Sequence, residues 1–216
     1  MTSVAVTNNN NTPKIPPAQD ITQAVERLAA HVKTKFRKLT LVSPIQNFTL
    51  YDSNVDLLYE ASSILPQAPI IALANYFSNV AFHDAVVSVK VGGDVDKTNT
   101  GVPFFLEWES GVWDSGTWIG GIWNTGLWHT GVWLTGVWKS GKHEQGIWYN
   151  GVWEDGEWLD GVWVDGFWKN GVWYNGIWHN GVWFDGRWVN GDWRGGIIHS
   201  MQIEKLVDPR SRGLEL

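Results

Sequence analysis

The chain has no cysteine and no long apolar run. Because none of its 216 residues is cysteine, disulfide bonds and thiolate metal sites cannot contribute to the fold. No apolar run approaches the roughly 18 residues needed to span a bilayer. The first twenty residues are polar and lack the charged and then apolar layout of a signal peptide. We therefore expect a soluble protein that is made in the cytoplasm and does not insert into membranes.

Basic side chains are scarce in the second half of the chain. Residues 106–200 carry eleven acidic and five basic side chains, whereas residues 1–105 carry eight of each. Binding to a phosphate backbone needs Lys and Arg to displace counterions. We therefore expect no nucleic-acid partner.

Tryptophan and glycine are in excess, and both recur with a fixed period. From Leu106 to Ser200 the chain reads as nineteen uninterrupted pentads, and seventeen of them have Trp at the centre, the exceptions being His143 and Ile198. A fixed period indicates a repeat architecture in which each unit contacts mainly its neighbours. Glycine at every fifth position is unfavourable inside a helix. The repeat is therefore predicted to be β-structure, which makes the chain mainly β.

Two β architectures fit a five-residue unit. The favoured one is an antiparallel meander of three-residue strands joined by two-residue turns, since Asn-Gly and Asp-Gly are strong hairpin signals. These pairs form every turn from Asn150 to Asn190. Val or Ile also precedes Trp in alternate units over much of the repeat, a ten-residue period expected of paired up and down strands. The alternative is a square β-solenoid with four units in each coil.

A meander would place the Trp side chains on one face of a ribbon roughly 90 Å long. Such a ladder would expose well over about 1,000 Å² of apolar surface, more than a monomer usually leaves open. We therefore expect it to be covered, preferably by copies of the chain that pack Trp face to Trp face, with a trimer favoured. The predicted structural ladder is Trp113, Trp118, Trp123, Trp128, Trp133, Trp138, Trp148, Trp153, Trp158, Trp163, Trp168, Trp173, Trp178, Trp183, Trp188 and Trp193.

Three further segments flank or precede the repeat. Residues 1–19 are predicted to be a flexible polar arm, residues 20–105 a small α+β attachment domain, and residues 201–216 a C-terminal cap or tail. Asp20 and Gln23 predict a helix start, followed by apolar residues at helical spacing as far as Phe36. Alternation from Val87 to Val91 predicts a strand.

Catalytic spacing is lacking throughout the chain. His31 and His83 have no acid or nucleophile paired with them at a catalytic spacing. Four repeat acids, Glu154, Asp155, Glu157 and Asp160, could serve glycosidase chemistry, but two of them have an evident backbone role at turns. We expect no enzyme activity, no cofactor and no metal.

The uninterrupted Gly-x-Trp pentads behind a small N-terminal domain resemble the Trp-rich short repeats of tailed-phage virion proteins of the fibre and appendage type. Weaker likenesses exist to pentapeptide-repeat proteins, which share the period, and to MORN repeats, which share G-x-W-x-x-G but have longer units. The phage resemblance covers residues 106–200. It implies a structural virion protein in which residues 1–105 bind other virion proteins and the repeat forms an oligomeric shaft.

A carbohydrate-binding adhesin is the alternative function. Aromatic faces stack on sugar rings, and nearby Asp and Asn side chains bind hydroxyl groups. The outward aromatic side chains that could contact a host surface glycan are Tyr149, Phe167, Tyr174 and Phe184.

Overall fold

The computed structural model describes Ala18, residues 20–92 and residues 102–199. Apart from Ala18, the predicted arm of residues 1–19 lies outside the described residues, as does the predicted cap of residues 201–216. The structure is mainly β, with a small N-terminal α+β region followed by a repetitive β-structure.

The N-terminal region is a mixed sheet packed against helices. Asp20 caps the first helix, since its carboxylate accepts the backbone N–H of Gln23 at 2.9 Å, as the sequence predicts. Strand β1 (Phe36–Val42) pairs antiparallel with β2 (Phe48–Leu50) and parallel with β3 (Ala81–Val91). The elements are α1 (Ile21–Thr34), β1 (Phe36–Val42), β2 (Phe48–Leu50), a 3-10 turn (Asp52–Asn54), α2 (Asp56–Ile64), α3 (Gln67–Ser78) and β3 (Ala81–Val91).

Phe36 lies in β1 rather than in the predicted helix, which ends two residues earlier. Its ring packs edge-on against Phe77 and Phe82, with centroids 4.9 Å apart in both pairs. The apolar run that ends at Phe77 forms helix α3. The aromatic cluster therefore joins helix α3 to the sheet.

Strand β4 (Phe104–Ser115) joins the N-terminal region to the repeat. Along one edge it pairs antiparallel with β3, and along the other it pairs in parallel with strands of the repeat. It crosses the predicted domain boundary at residue 106, so the two regions share a sheet. Phe82 also contacts Trp108, with ring centroids 5.9 Å apart. Strand β3 thus covers the edge that an open sheet would expose.

The repeat forms a parallel β-solenoid, and the predicted antiparallel meander is wrong. Each strand pairs in parallel with the strands fifteen residues before and after it, as Trp148 does with Trp133 and Trp163. Backbone groups hold the coils together; for example, the N–H of Tyr149 donates to the carbonyl of Trp133 at 2.8 Å. Fifteen residues are three pentads, so the solenoid alternative is confirmed, but with three sides rather than four.

The strands form three faces, named here by the columns of central side chains that they carry. Face A continues from Trp108 of β4 through β6 (Ile122–Trp123), β9 (Val137–Trp138), β12 (Val152–Trp153), β15 (Phe167–Trp168), β18 (Val182–Trp183) and β21 (Ile197–Ile198). Face B continues from Trp113 of β4 through β7 (Leu127–Trp128), β10 (Lys142–His143), β13 (Glu157–Trp158), β16 (Val172–Trp173) and β19 (Arg187–Trp188). Face C consists of β5 (Thr117–Trp118), β8 (Val132–Trp133), β11 (Ile147–Trp148), β14 (Val162–Trp163), β17 (Ile177–Trp178) and β20 (Asp192–Trp193).

Glycine turns the chain at each corner between faces. Gly161 has φ +124, and a Cβ added there would lie 2.4 Å from the carbonyl oxygen of Gly146 in the previous coil. The preceding Asp160 accepts the Gly161 N–H at 2.7 Å. Among the described residues only Asp84 combines a side chain with positive φ. The Asp-Gly and Asn-Gly pairs are therefore solenoid corners and not hairpin turns, which would often need positive φ at both residues.

The solenoid interior is filled by stacked indoles. Within a column, Trp rings are nearly parallel, at 4–11°, with centroids 4.6–5.1 Å apart. Between columns, consecutive Trp rings meet edge to face, at 68–82° and 5.6–6.1 Å. Both arrangements are favourable for aromatic rings. Three rings in each coil therefore make a continuous core.

The chain itself covers its Trp residues. From Trp108 to Trp183 every Trp is at most 3% exposed, and only Trp188 and Trp193, in the last coil, are partly exposed. Nineteen units in coils of three give a little over six coils, about 30 Å at the strand spacing of 4.8 Å, not the expected 90 Å. The described residues therefore contain no exposed Trp ladder, and the reason for expecting Trp faces of different copies of the chain to pack together no longer applies.

Candidate interaction surface

The outer surface of the solenoid is the candidate functional surface. In each unit the central side chain points inward, and the residues before and after it point outward, as the two-residue period of a strand requires. Because each coil lies under the previous one in register, each face carries two outer columns. We call the residues before the rings the leading column and those after the rings the trailing column.

Face A combines an apolar column with a mainly charged one. Its leading column begins with Glu107, and from β6 onward it contains only apolar residues: Ile122, Val137, Val152, Phe167, Val182 and Ile197. In its trailing column Lys169 donates to Glu154 at 3.0 Å. Toward the last coil this column becomes aromatic, and the Phe184 ring lies 6.4 Å from Phe167 and 5.3 Å from His199.

Face B is charged near the N-terminal region. Nδ1 of His83 lies 3.0 Å from the Asp114 carboxylate, and Nδ1 of His129 lies 2.8 Å from Glu144. The hydrogen bond from His129 is the main cause that lowers the pKa of Glu144. The sequence alone does not predict the contact between His83 and Asp114, because the two residues become neighbours only through the pairing of β3 with β4.

Face C is free of charge over most of its length. The only ionic side chains among its outer residues are Asp192 and Arg194, at the end of the described repeat, and they pair with each other at 2.7 Å. Its most exposed apolar residues are Leu134, Ile147 and Tyr149. The remaining outer residues of this face are Thr117, Ile119, Val132, Val162, Val164, Ile177 and His179.

The four aromatic residues predicted as ligand contacts do not form one site. All are exposed: Tyr149 by 46%, Phe167 by 48%, Tyr174 by 39% and Phe184 by 37%. Tyr149 is on face C and Tyr174 on face B, whereas Phe167 and Phe184 lie together on face A. The buried indoles of the ladder cannot stack on a ligand, so this Phe pair is the aromatic platform that remains.

The four acids considered for glycosidase chemistry also lie apart. Glu154 pairs with Lys169 on face A, and Glu157 is on face B. Asp155 and Asp160 occupy corners, and each accepts the N–H of the following glycine at 2.7 Å. Two of the four therefore have the structural role predicted from their position before glycine.

The corner columns show a charge pattern that sequence reasoning missed. Residues fifteen positions apart stack about 4.8 Å from each other, and stacked carboxylates at that distance would repel. No two corner Asp residues of the described repeat are fifteen positions apart. The stacked corner triplets are Asp155, Asn170 and Asp185; Asp160, Asn175 and Asn190; and Asn150, Asp165 and Asn180. This fifteen-residue avoidance is a sequence signal for the three-sided coil.

His143 interrupts the Trp column of face B. It is 1% exposed, and within the described residues neither ring nitrogen has a hydrogen-bond partner. The ring centroid lies 3.9 Å from that of Trp158 but 5.9 Å from that of Trp128, so the stack is loosened on one side. Strand register is unchanged on both sides. The imidazole therefore occupies a place of indole size.

We expect His143→Trp to raise the free energy of unfolding by roughly 2 kcal/mol. The larger ring fills space beside Trp128 and replaces two unpaired buried ring nitrogens with a single indole N–H,. Denaturant midpoints of the two proteins measure the effect. His179→Trp, on the exposed surface of face C, is the control and should change little. Lower stability of His143→Trp would show that the site cannot hold an indole.

Acid should destabilise the protein partly through His143. Burial lowers the pKa of His143 from 6.5 to about 3, so between these values the unfolded chain binds a proton that the folded chain does not. Stability therefore falls as pH decreases from 6.5 toward 3. Burial also lowers the pKa of His31 to about 4, which adds to the fall. In denaturant titrations at pH 7, 5.5 and 4.5, His143→Trp should lose less stability than the unaltered protein, and equal losses would contradict this assignment.

The described part of the chain contains no helix long and apolar enough to cross a membrane. Within the same residues, no group of three or more His, Asp or Glu side chains is arranged to hold a metal ion. No family model, curated protein or solved structure matches the chain.

Proposed function

We propose that the protein is a non-catalytic structural component of a larger particle, of the kind implied by the resemblance to tailed-phage fibre and appendage proteins. In this role the N-terminal region attaches the chain to other particle proteins. The solenoid then serves as a short rigid spacer that holds three different outer faces at fixed orientations.

The observation that carries this proposal is the continuous core of stacked rings. Inside the repeat, each indole contacts rings in the coils on either side as well as rings of the other columns, so bending one coil disturbs its neighbours. Strand β4 runs from the N-terminal sheet into the first coil without a break, so the base of the spacer shares a sheet with the N-terminal region. Such a molecule transmits position and orientation, which is what a structural spacer requires.

Localisation in particles tests this function. Particles are purified by density gradient from cells that produce the protein and labelled with an antibody raised against residues 104–199. We expect the gold label at a fixed place on the particle and a constant number of copies in each particle. Protein found only in the free fraction of the gradient would refute the structural assignment.

Glycan binding is a second candidate, favoured by the aromatic platform on face A. Near the last coil, the Phe184 ring lies within contact distance of both Phe167 and His199. On a glycan array, Phe184→Ala should abolish binding to any glycan that the unaltered protein retains, because half of the platform is lost. Tyr174→Ala, on face B, is the matched control and should not change binding. Equal effects of the two variants, or no bound glycan, would reject this candidate.

A further inference from the structure

The stacked rings of the core form a continuous path, and we propose that this path carries one-electron oxidising equivalents along the solenoid to the rings of its last coil. Such a transfer is a redox activity in addition to the structural role proposed above. It does not depend on that role, because it uses only groups inside the solenoid.

The column of face C is the clearest path within the described residues. Its successive ring centroids lie 4.6–5.1 Å apart, at interplanar angles of 5–11°. Nearly parallel rings in contact overlap their π-electrons, which is the condition for an electron to pass from one ring to the next. The rings of this column are Trp118, Trp133, Trp148, Trp163, Trp178 and Trp193.

His143 interrupts the column of face B, but the other columns provide a way around it. Imidazole is harder to oxidise than indole, so His143 does not carry the charge. Edge-to-face contacts join the columns on both sides of it. The Trp128 ring lies 6.1 Å from Trp133, and the Trp153 ring lies 5.9 Å from Trp158. The part of the face B column beyond His143 is therefore connected to the part before it.

Each step along the path moves one electron and no proton. A one-electron oxidant, for example a peroxyl radical that becomes a peroxide anion, removes an electron from one indole and leaves a radical cation. The neighbouring ring then gives up an electron in turn, so the radical cation advances by one ring while no bond forms or breaks.

The buried indole N–H groups keep the charge mobile. Loss of the Nε1 proton would stop the movement, because it would convert the radical cation into a neutral radical. In the face C column, Nε1 of every ring from Trp118 to Trp178 is buried and has no hydrogen-bond partner within the described residues. Since Nε1 is a donor only, a proton there has no group to accept it.

The last coil is where the charge stops. Trp188 and Trp193 are the partly exposed rings of the described core. Burial penalises a positive charge, so the radical cation is most stable where water solvates it, and water also accepts the N–H proton there. The aliphatic Ile198 lies beside Trp183 at the end of the face A column. That column therefore delivers its charge sideways, from Trp183 to Trp188, 5.7 Å away.

A photo-oxidant attached at one point tests this transfer. Because the chain has no cysteine, Thr130→Cys carries a single ruthenium polypyridyl label at an exposed corner three residues before Trp133. Light and a cobalt(III) ammine acceptor convert the label to ruthenium(III), which takes one electron from a nearby indole. Four strand pairings separate Trp133 from Trp193.

The final position of the radical is the measured quantity. A nitroso spin trap forms a covalent bond with an indolyl radical, and peptide mass spectrometry identifies the marked residue. All seventeen Trp residues belong to the core, so each adduct reports a position along the path. With the label at Thr130→Cys we expect adducts at Trp188 and Trp193.

Two comparisons separate transfer through the rings from direct attack by the oxidant. Asn180→Cys places the same label beside the last coil and should mark the same two rings. Replacing Trp158, Trp163 and Trp168 with Phe removes one complete layer of indoles. In that variant the adducts should be lost with the label at Thr130→Cys and retained with the label at Asn180→Cys. Near-ultraviolet circular dichroism verifies that the variant is folded.

Absence of adducts at Trp188 and Trp193 with the label at Thr130→Cys overturns the proposal. If the label at Asn180→Cys still produces them, the path fails, and if neither label does, the last coil does not collect the charge. Adducts that survive removal of the indole layer also overturn the proposal, because the oxidant then reaches the last coil without the rings. If the triple variant does not fold, the result with the label at Thr130→Cys in the otherwise unaltered protein decides.

Discussion

Replacing Trp163 with alanine is expected to lower the free energy of unfolding by about 3–5 kcal/mol. The ring is fully buried and stacks on Trp148 and Trp178 with centroids 4.8 and 4.7 Å away. It also meets Trp158 and Trp168 edge to face. Rigid coils on both sides prevent the cavity from collapsing, so the cost should lie at the upper end of the range.

Trp193→Ala is the matched control for this substitution. Trp193 stacks on Trp178 but lies in the last described coil, where it is partly exposed. Because less apolar surface is lost, its cost should be about 1–2 kcal/mol. Chemical denaturation followed by Trp fluorescence measures both variants. Equal costs would mean that the last coil is covered as fully as the middle ones.

Gly161→Ala should be at least as damaging as the loss of a ring, at a cost of about 3 kcal/mol or more. Alanine disfavours the φ of +124 found there, and its Cβ would lie 2.4 Å from a backbone oxygen of the previous coil,. The strands on both sides of this corner are hydrogen-bonded to that coil, so the clash can be relieved only by separating coils.

Gly195→Ala is the control for the corner substitution. Gly195 does not have a positive φ, and the nearest atom to an added Cβ is the His179 oxygen at 3.0 Å. A small shift in the last coil relieves that contact, so we expect a cost below about 1 kcal/mol. Thermal denaturation compares the two variants. A mild effect of Gly161→Ala would show that the coils are less tightly coupled than their hydrogen bonds indicate.

The inner half of the repeat could be predicted from the sequence, but the number of units in a coil could not. All but two units place Trp at the same position, so three-sided, four-sided and meandering chains all satisfy the pattern. The residues that distinguish a three-sided coil from the other two architectures are the outward-pointing ones. The apolar leading column from Ile122 to Ile197 and the ion pair between Glu154 and Lys169 both have a spacing of fifteen. The ten-residue alternation of Val and Ile before Trp favoured the wrong architecture, the antiparallel meander. Val and Ile are frequent there because two of the three leading columns are mostly apolar.

On the candidate surface, the exposure of individual residues could be predicted from the sequence, but which of them lie next to each other could not. Exposure of Tyr149 and Phe184 follows from their place beside an inward ring. Whether two such residues meet depends on the coil length, which brings Phe167 next to Phe184 and separates both from Tyr174. In the N-terminal region the cap at Asp20 is a local signal and was predictable. The end of the helix before Phe36 was not, since it is set by ring packing against α3 and β3.

The three-unit coil has a consequence for changes in chain length. After deletion or duplication of one pentad, the central rings still stack on rings of the neighbouring coils, so the interior tolerates the change. Every later unit, however, is rotated by one third of a turn about the solenoid axis, and Phe184 would move to a neighbouring face. Only insertions or deletions of fifteen residues alter the length of the solenoid while preserving the direction in which each later side chain points. A family of such chains should therefore vary in length by whole coils wherever an outer face binds a partner.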